Sequence, residues 1–238
     1  MKRAIIVGAT TGIGRGLAEV LIEHGYRVGV TGRRESLLHE LEQQHPGLCI
    51  ASVFDVKDPE AVSLRLEELA TALGGVDLLV ISAGTGEVNK ELMFDLEMDT
   101  IETNVIGFTA AADWAFNYFG KQGHGHLVGI SSVGGLRGSR EAPAYNASKA
   151  WQINYLEGLR QKANRLKSKV YVTDIRPGLV DTAMAKGDGL FWVMPLDKAV
   201  RQIFRAIIKK RKVAYVTKRW RLIACLLKRI PRFIYDKM

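Results

Sequence analysis

Tyr145 and Lys149 stand four residues apart in the stretch Tyr145-Asn146-Ala147-Ser148-Lys149. On a helix their side chains leave the same face, one turn apart. A cation held beside a phenol stabilises the phenolate and lowers a pKa that starts at about 10. The tyrosine then becomes a usable general acid near neutral pH. Ser132, thirteen residues earlier at the end of an apolar run, adds a hydroxyl to the same set. Spacing alone is weak evidence: seven Tyr and sixteen Lys in 238 residues give about half of one Tyr-x3-Lys match by chance. The surrounding elements must supply the rest.

The first of them is a β-rich run at residues 4–7, followed by Gly8-Ala9-Thr10-Thr11-Gly12-Ile13-Gly14 and then by helix-spaced Leu17, Val20 and Leu21 up to Gly25. A strand, a glycine loop and a helix start in succession bring backbone N–H groups to one point, and missing side chains let a pyrophosphate approach closely. The spacing is G-x3-G-x-G, not G-x-G-x-x-G; a plain βα turn is the competing reading. A second strand, 27–31, ends in Gly32-Arg33-Arg34 with no acid at the turn. In such a unit this strand end meets the adenosine ribose, where a guanidinium pairs with a 2′-phosphate and an acid would bind a free 2′-OH. Arg33 and Arg34 therefore favour NADP(H) over NAD(H).

Further strands are expected at 48–54, 76–81, 126–130, 170–175 and 213–217. The 48–54 run closes on Asp55-Val56, and 76–81, apolar throughout as for a strand buried on both faces, closes on Ser82-Ala83-Gly84. Helices are expected at 59–73, behind Asp58 as cap and with Pro59 at the first position, at 95–119, at 142–162, and from a cap at Asp197 through 208. The 95–119 pattern contains Asn104-Val105-Ile106-Gly107, two poor helix formers in mid-helix, and such a conflict marks a candidate site. Alternating strands and helices, with no internal repeat, indicate an α/β fold: a single doubly wound Rossmann domain. Residues 1–217 form that domain, and 183–195, which includes Phe191, Trp192 and Met194, suits a loop covering the substrate. His124 and His126 have no third ligand nearby and indicate no metal. Cys49 and Cys225 suggest reduced thiols, and the N-terminus lacks a signal-peptide layout, so a cytoplasmic protein is expected.

Taken together these motifs resemble the short-chain dehydrogenase/reductase family, over nearly the whole chain to about Thr217. Gly8, Gly12 and Gly14 match its cofactor loop, with Val7 where a Thr is usual. Asp55-Val56 matches the pair beside the adenine. Ile81-Ser82-Ala83-Gly84 matches Asn-Asn-Ala-Gly with both Asn replaced. Asn104, Ser132, Tyr145 and Lys149 match the catalytic four, and Pro177-Gly178 to Thr182 matches the segment flanking the nicotinamide. The resemblance implies a seven-stranded, mostly parallel sheet in the order 3-2-1-4-5-6-7. It implies cofactor contacts from Gly8, Thr10, Thr11, Gly12, Ile13, Gly14, Arg33, Arg34, Asp55, Val56, Ser82, Ala83, Gly84, Tyr145, Lys149, Pro177, Gly178, Val180 and Thr182. It also implies hydride transfer between a nicotinamide and a carbonyl or alcohol, as in a carbonyl reductase. Ser132 would bind the substrate oxygen and Tyr145 would donate the proton. Lys149 would lower the Tyr145 pKa, and Asn104 would position a water leading to solvent. Homo-oligomers pairing through the long helices before and after the fifth strand are expected on the same ground.

Charge is uneven along the chain. From Lys198 onward there are fourteen of the 34 Lys/Arg and one of the 25 acids, so the body is slightly acidic and the C-terminal segment strongly basic. That argues against nucleic-acid binding by the fold itself. In 218–238, Trp220, Ile223, Leu226, Leu227 and Ile230 fall within one helical arc, with Arg221, Lys228 and Arg229 opposite. Such a segment either lies on an anionic membrane surface, which would suit a lipid-like substrate, or packs on the body or across an oligomer. Two other functions compete with the enzyme: a non-catalytic NADP(H) sensor or scaffold, which needs no activated phenol, and a different Rossmann enzyme.

Overall fold

The fold, a computed structural model describing residues 1–183, 192–217 and 219–237, is built on one seven-stranded sheet. Its strands are β1 (Lys2–Val7), β2 (Tyr26–Gly32), β3 (Cys49–Val53), β4 (Leu78–Ile81), β5 (His124–Ile130), β6 (Lys169–Pro177) and β7 (Val213–Val216). The order is β3-β2-β1-β4-β5-β6-β7, and every pairing is parallel, not merely most. Within β1, Ala4 and Ile6 belong to one core and Ile5 and Val7 to the other, all fully buried. That period of two is why the central strands read as unbroken apolar runs: both faces of the sheet are covered.

One face carries α1 (Gly12–Glu23), α2 (Glu35–Gln44) and α7 (Leu196–Ile208); the other carries α3 (Pro59–Leu73), α5 (Phe108–Gln122) and α6 (Pro143–Arg165). Helix α3 has the expected bounds, because Asp58 accepts from the N–H groups of Glu60 and Ala61 and Gly74 closes the helix at φ 76°. Pro195 precedes α7, and Asp197 lies in the first turn instead of capping it. The expected 95–119 helix is divided into α4 (Phe94–Ile101), a π-helical turn at Glu102–Gly107 and α5. The widened turn contains both Asn104 and Gly107, the residues whose propensities conflicted with a regular helix. Two further helices, α8 (Trp220–Arg229) and α9 (Arg232–Tyr235), form the C-terminal segment. Most of the expected covering loop, including Phe191, lies outside the described residues.

Candidate active site

The reversal of strand order between β1 and β4 opens a crevice at the carboxyl ends of the strands, the usual ligand position in such sheets. A cavity of about 600 Å³ lies there, running from the Gly8 loop past Tyr145 to Trp220. Of the residues singled out from the sequence, Gly8, Thr10, Thr11, Gly12, Ile13, Arg33, Arg34, Asp55, Val56, Ser82, Ala83, Gly84, Ser132, Tyr145, Lys149, Pro177, Gly178, Val180 and Thr182 line it. Gly14 and Asn104 stand behind the wall.

The glycine loop is closely built. Gly8 adopts φ 89°, and a Cβ there would lie 2.4 Å from the Ala83 nitrogen; a Cβ on Gly14 would lie 1.9 Å from the Gly8 oxygen. Thr11, at the start of α1, makes no side-chain cap, and the first turn holds no acid. The leading N–H groups of α1 thus face the crevice uncovered by their own cap, a cradle suited to a pyrophosphate. At the end of β2, Arg34 donates to the hydroxyls of Thr10 and Thr11, at 2.5 and 2.8 Å. Arg33 pairs with Asp55 at 3.5 Å and its side chain is 63% exposed. The residues present fit a dinucleotide, with two guanidinium groups on the cavity wall at the end of β2.

At the centre of the cavity, the Tyr145 ring lies against Gly86, where a Cβ would come within 2.2 Å of it. Tyr145 hydrogen-bonds Ser132 through the side chains; burial pushes the phenol above its ordinary pKa, and the Ser132 bond opposes that shift. Ser132 also accepts from the Gly134 N–H at 3.0 Å. Lys149 Nζ lies 5.8 Å from the Tyr145 ring centre. It donates to the Ile130 carbonyl at 3.2 Å and to Gln152 Oε1 at 3.0 Å. Burial drives the ammonium down to about 8, while the negative charge of Asp174 acts in the opposite direction. In this arrangement desolvation outweighs any lowering of the phenol by the cation. Asp174 is itself wholly buried and pairs with Arg176 at 2.6 Å beneath the site.

Asn104 is fully buried. Its amide accepts from the Thr85 N–H at 2.9 Å and donates to the Thr85 carbonyl at 2.7 Å and to Ser148 Oγ at 3.0 Å. The Asn104 carbonyl accepts from Gln152 Nε2 at 2.9 Å, so Gln152 bridges Lys149 and Asn104 directly. Sequence reasoning missed Gln152, Thr85, Gly86 and Trp220. Gln152 had a signal, a polar residue three after Lys149 on the same helix face. Trp220 had none, since it reaches the cavity from the C-terminal segment.

The sequence pattern of the family described as short chain dehydrogenase matches residues 2–189. A Myxococcus xanthus protein named an uncharacterized oxidoreductase is 33% identical over 244 residues, covering 99% of this chain and 95% of that protein. Among solved structures, a short-chain dehydrogenase from Streptomyces avermitilis superposes with a TM-score of 0.83 at 25% identity, over 95% of this chain and 91% of that one. ElxO with NADP bound superposes with a TM-score of 0.78 at 21% identity, over 90% of this chain and 96% of that one, a likeness of fold.

Proposed function

The chain belongs to the short-chain dehydrogenase/reductase family and is an oxidoreductase, and from that premise we propose that it transfers hydride between NADP(H) and a carbonyl or alcohol, with Tyr145 as the general acid/base. The observation that carries this reading is the convergence of Ser132, Tyr145 and Lys149 on the cavity that begins at the glycine cradle. A bound nicotinamide supplies or takes up the hydride. The Gly8–Gly14 backbone and α1 would hold its pyrophosphate, Asp55 and Val56 would border the adenine, and Pro177, Gly178, Val180 and Thr182 would flank the nicotinamide end. Arg33 and Arg34 at the end of β2 support a 2′-phosphate and hence NADP(H); ElxO, of the same fold, binds NADP.

In reduction, Ser132 Oγ would hydrogen-bond the substrate oxygen while Tyr145 Oη donates its proton to it. The raised Tyr145 pKa keeps that proton in place at neutral pH. Two of the three Lys149 N–H groups are committed to Ile130 and Gln152, which aims the charged end at the cavity it lines. Asn104, locked to Thr85, fixes the backbone after β4 against which Tyr145 packs. A screen of ketones, aldehydes and alkanols with NADPH and NADH tests the reading. NADPH-linked turnover is expected, reduced at least a thousandfold in Tyr145→Phe with NADPH affinity retained. Undiminished turnover in that variant would refute the assignment.

Two features support finer readings of where the protein works. Leu222, Leu226 and Phe233 are exposed on the C-terminal segment beside Arg219, Arg221, Lys228, Arg229 and Arg232, a surface suited to anionic lipid headgroups. Trp151 on α6 and Ile106 beside α5 are each a little under half exposed, which supports pairing of two copies through these helices.

A further inference from the structure

The family match ends at residue 189, yet the cavity does not. Its far wall is Trp220, the first residue of α8, only 6% exposed. The indole lies flat on Gly178: a Cβ on that glycine would stand 2.1 Å from both Cδ2 and Cε2 of the ring. Its backbone N–H donates to the Thr217 carbonyl at 3.0 Å. The other end of α8 is held by Arg137, in the segment after Ser132. That guanidinium donates to the carbonyls of Leu227 and Ile230 at 3.2 and 3.0 Å, satisfying a helix end that lacks partners of its own. It also lies 4.1 Å from the centre of the Tyr235 ring, whose hydroxyl donates to the Gly138 carbonyl at 2.6 Å. The C-terminal segment is thus tied to the Gly178 loop and to the segment that follows Ser132.

We propose that this segment is the specificity element of the enzyme, with Trp220 as the wall against which an uncharged hydrocarbon arm of the substrate packs. Leu179 follows the glycine that the indole covers, and Val133, Ala142 and Val88 are further apolar residues of the lining. The basic groups on the lining are Arg33 and Arg34 at the adenosine end and Lys149 beside Tyr145, while Glu87 stands near Val88. The substrate class is therefore a carbonyl or alcohol bearing an apolar chain or ring. This inference rests on the oxidoreductase reading of the same cavity.

The test uses binding, so that it stands apart from turnover. Affinities of a 2-alkanone series from four to ten carbons are measured calorimetrically on the NADPH-loaded Tyr145→Phe protein. Affinity should rise about fourfold per added methylene while the chain covers the indole. Trp220→Ala should cut that increment to below twofold, read as the ratio between successive ketones within each protein, so that a uniform change in cofactor or ketone affinity does not enter. Trp220→Phe, which keeps an aromatic ring on Gly178, should give an intermediate increment and guards against loss of folding in the alanine variant. Equal increments in all three proteins would overturn the proposal. Increments that respond to Trp220 without turnover of any carbonyl by the wild type would remove the catalytic reading and leave the wall standing.

Discussion

Gln152 is wholly buried in the interior of α6, where an amide survives only if its polar ends are paired. Both are: Oε1 accepts from Lys149 Nζ and Nε2 donates to the Asn104 carbonyl. An uncharged acceptor orients the ammonium without compensating the desolvation of its charge, and the Lys149 pKa falls to about 8. Because this pKa is depressed, the positive charge is present below about pH 8 and is lost as pH rises through that value. The rate of carbonyl reduction should therefore decline above about pH 8. Gln152→Glu puts a carboxylate against the same ammonium and should move that decline upward by about one unit or more, read from kcat/KM across pH 6–10. A profile that stays in place would separate Lys149 ionisation from the chemistry, whereas a merely structural role would lower the rate at every pH alike.

At the scale of elements, the π-helical turn Glu102–Gly107 does what a regular helix there would not. It seats the Asn104 amide on Thr85 and brings Gly107 against Val56, three residues past β3, where a Cβ would lie 2.5 Å from the Val56 oxygen. Helix propensity predicts that Gly107→Ala stabilises the chain by about 1 kcal/mol. The overlap with backbone predicts the opposite, a loss of about 1–3 kcal/mol. We expect the overlap to win, since its nearest atom is a carbonyl oxygen in a packed interior and not the end of a flexible side chain. Urea unfolding should show the loss, and NADPH affinity should weaken with it because Val56 lines the cavity. A more stable variant would mean that the turn yields without cost. The sequence signal here was the pair of poor helix formers; it located the irregularity, but the extra residue in the turn depends on packing against Val56 and the Thr85 segment.

At the scale of the whole molecule, the C-terminal segment has two faces. Trp220 and Ala224 are buried, with Ile223, Leu227 and Ile230 partly so, while Leu226, counted in the same arc from sequence, is 58% exposed beside Leu222 and Phe233. Packing on the body and an apolar, basic outer surface therefore coexist. Among the described residues no helix is long and apolar enough to cross a membrane. The expected behaviour is surface binding: co-sedimentation with vesicles containing anionic lipid, weakened by salt, absent from neutral vesicles, and reduced at least severalfold by Leu226→Ser with Phe233→Ser. Equal recovery of the variant and the wild type with anionic vesicles would leave these residues without that role. The sequence by itself determined the strands, the two-sided burial of the central ones and the glycine loop, because apolar runs and loop glycines are local and act over a few residues; the order of the strands came with the family resemblance. It also carried Ser132, Tyr145 and Lys149, whose types and order survive as a linear motif. Only the tertiary structure decided that Gln152 joins Lys149 to Asn104 and that Trp220 closes the cavity on Gly178. Those depend on how distant segments meet, and burial, hydrogen-bond pairing and close backbone approach have no counterpart in residue order.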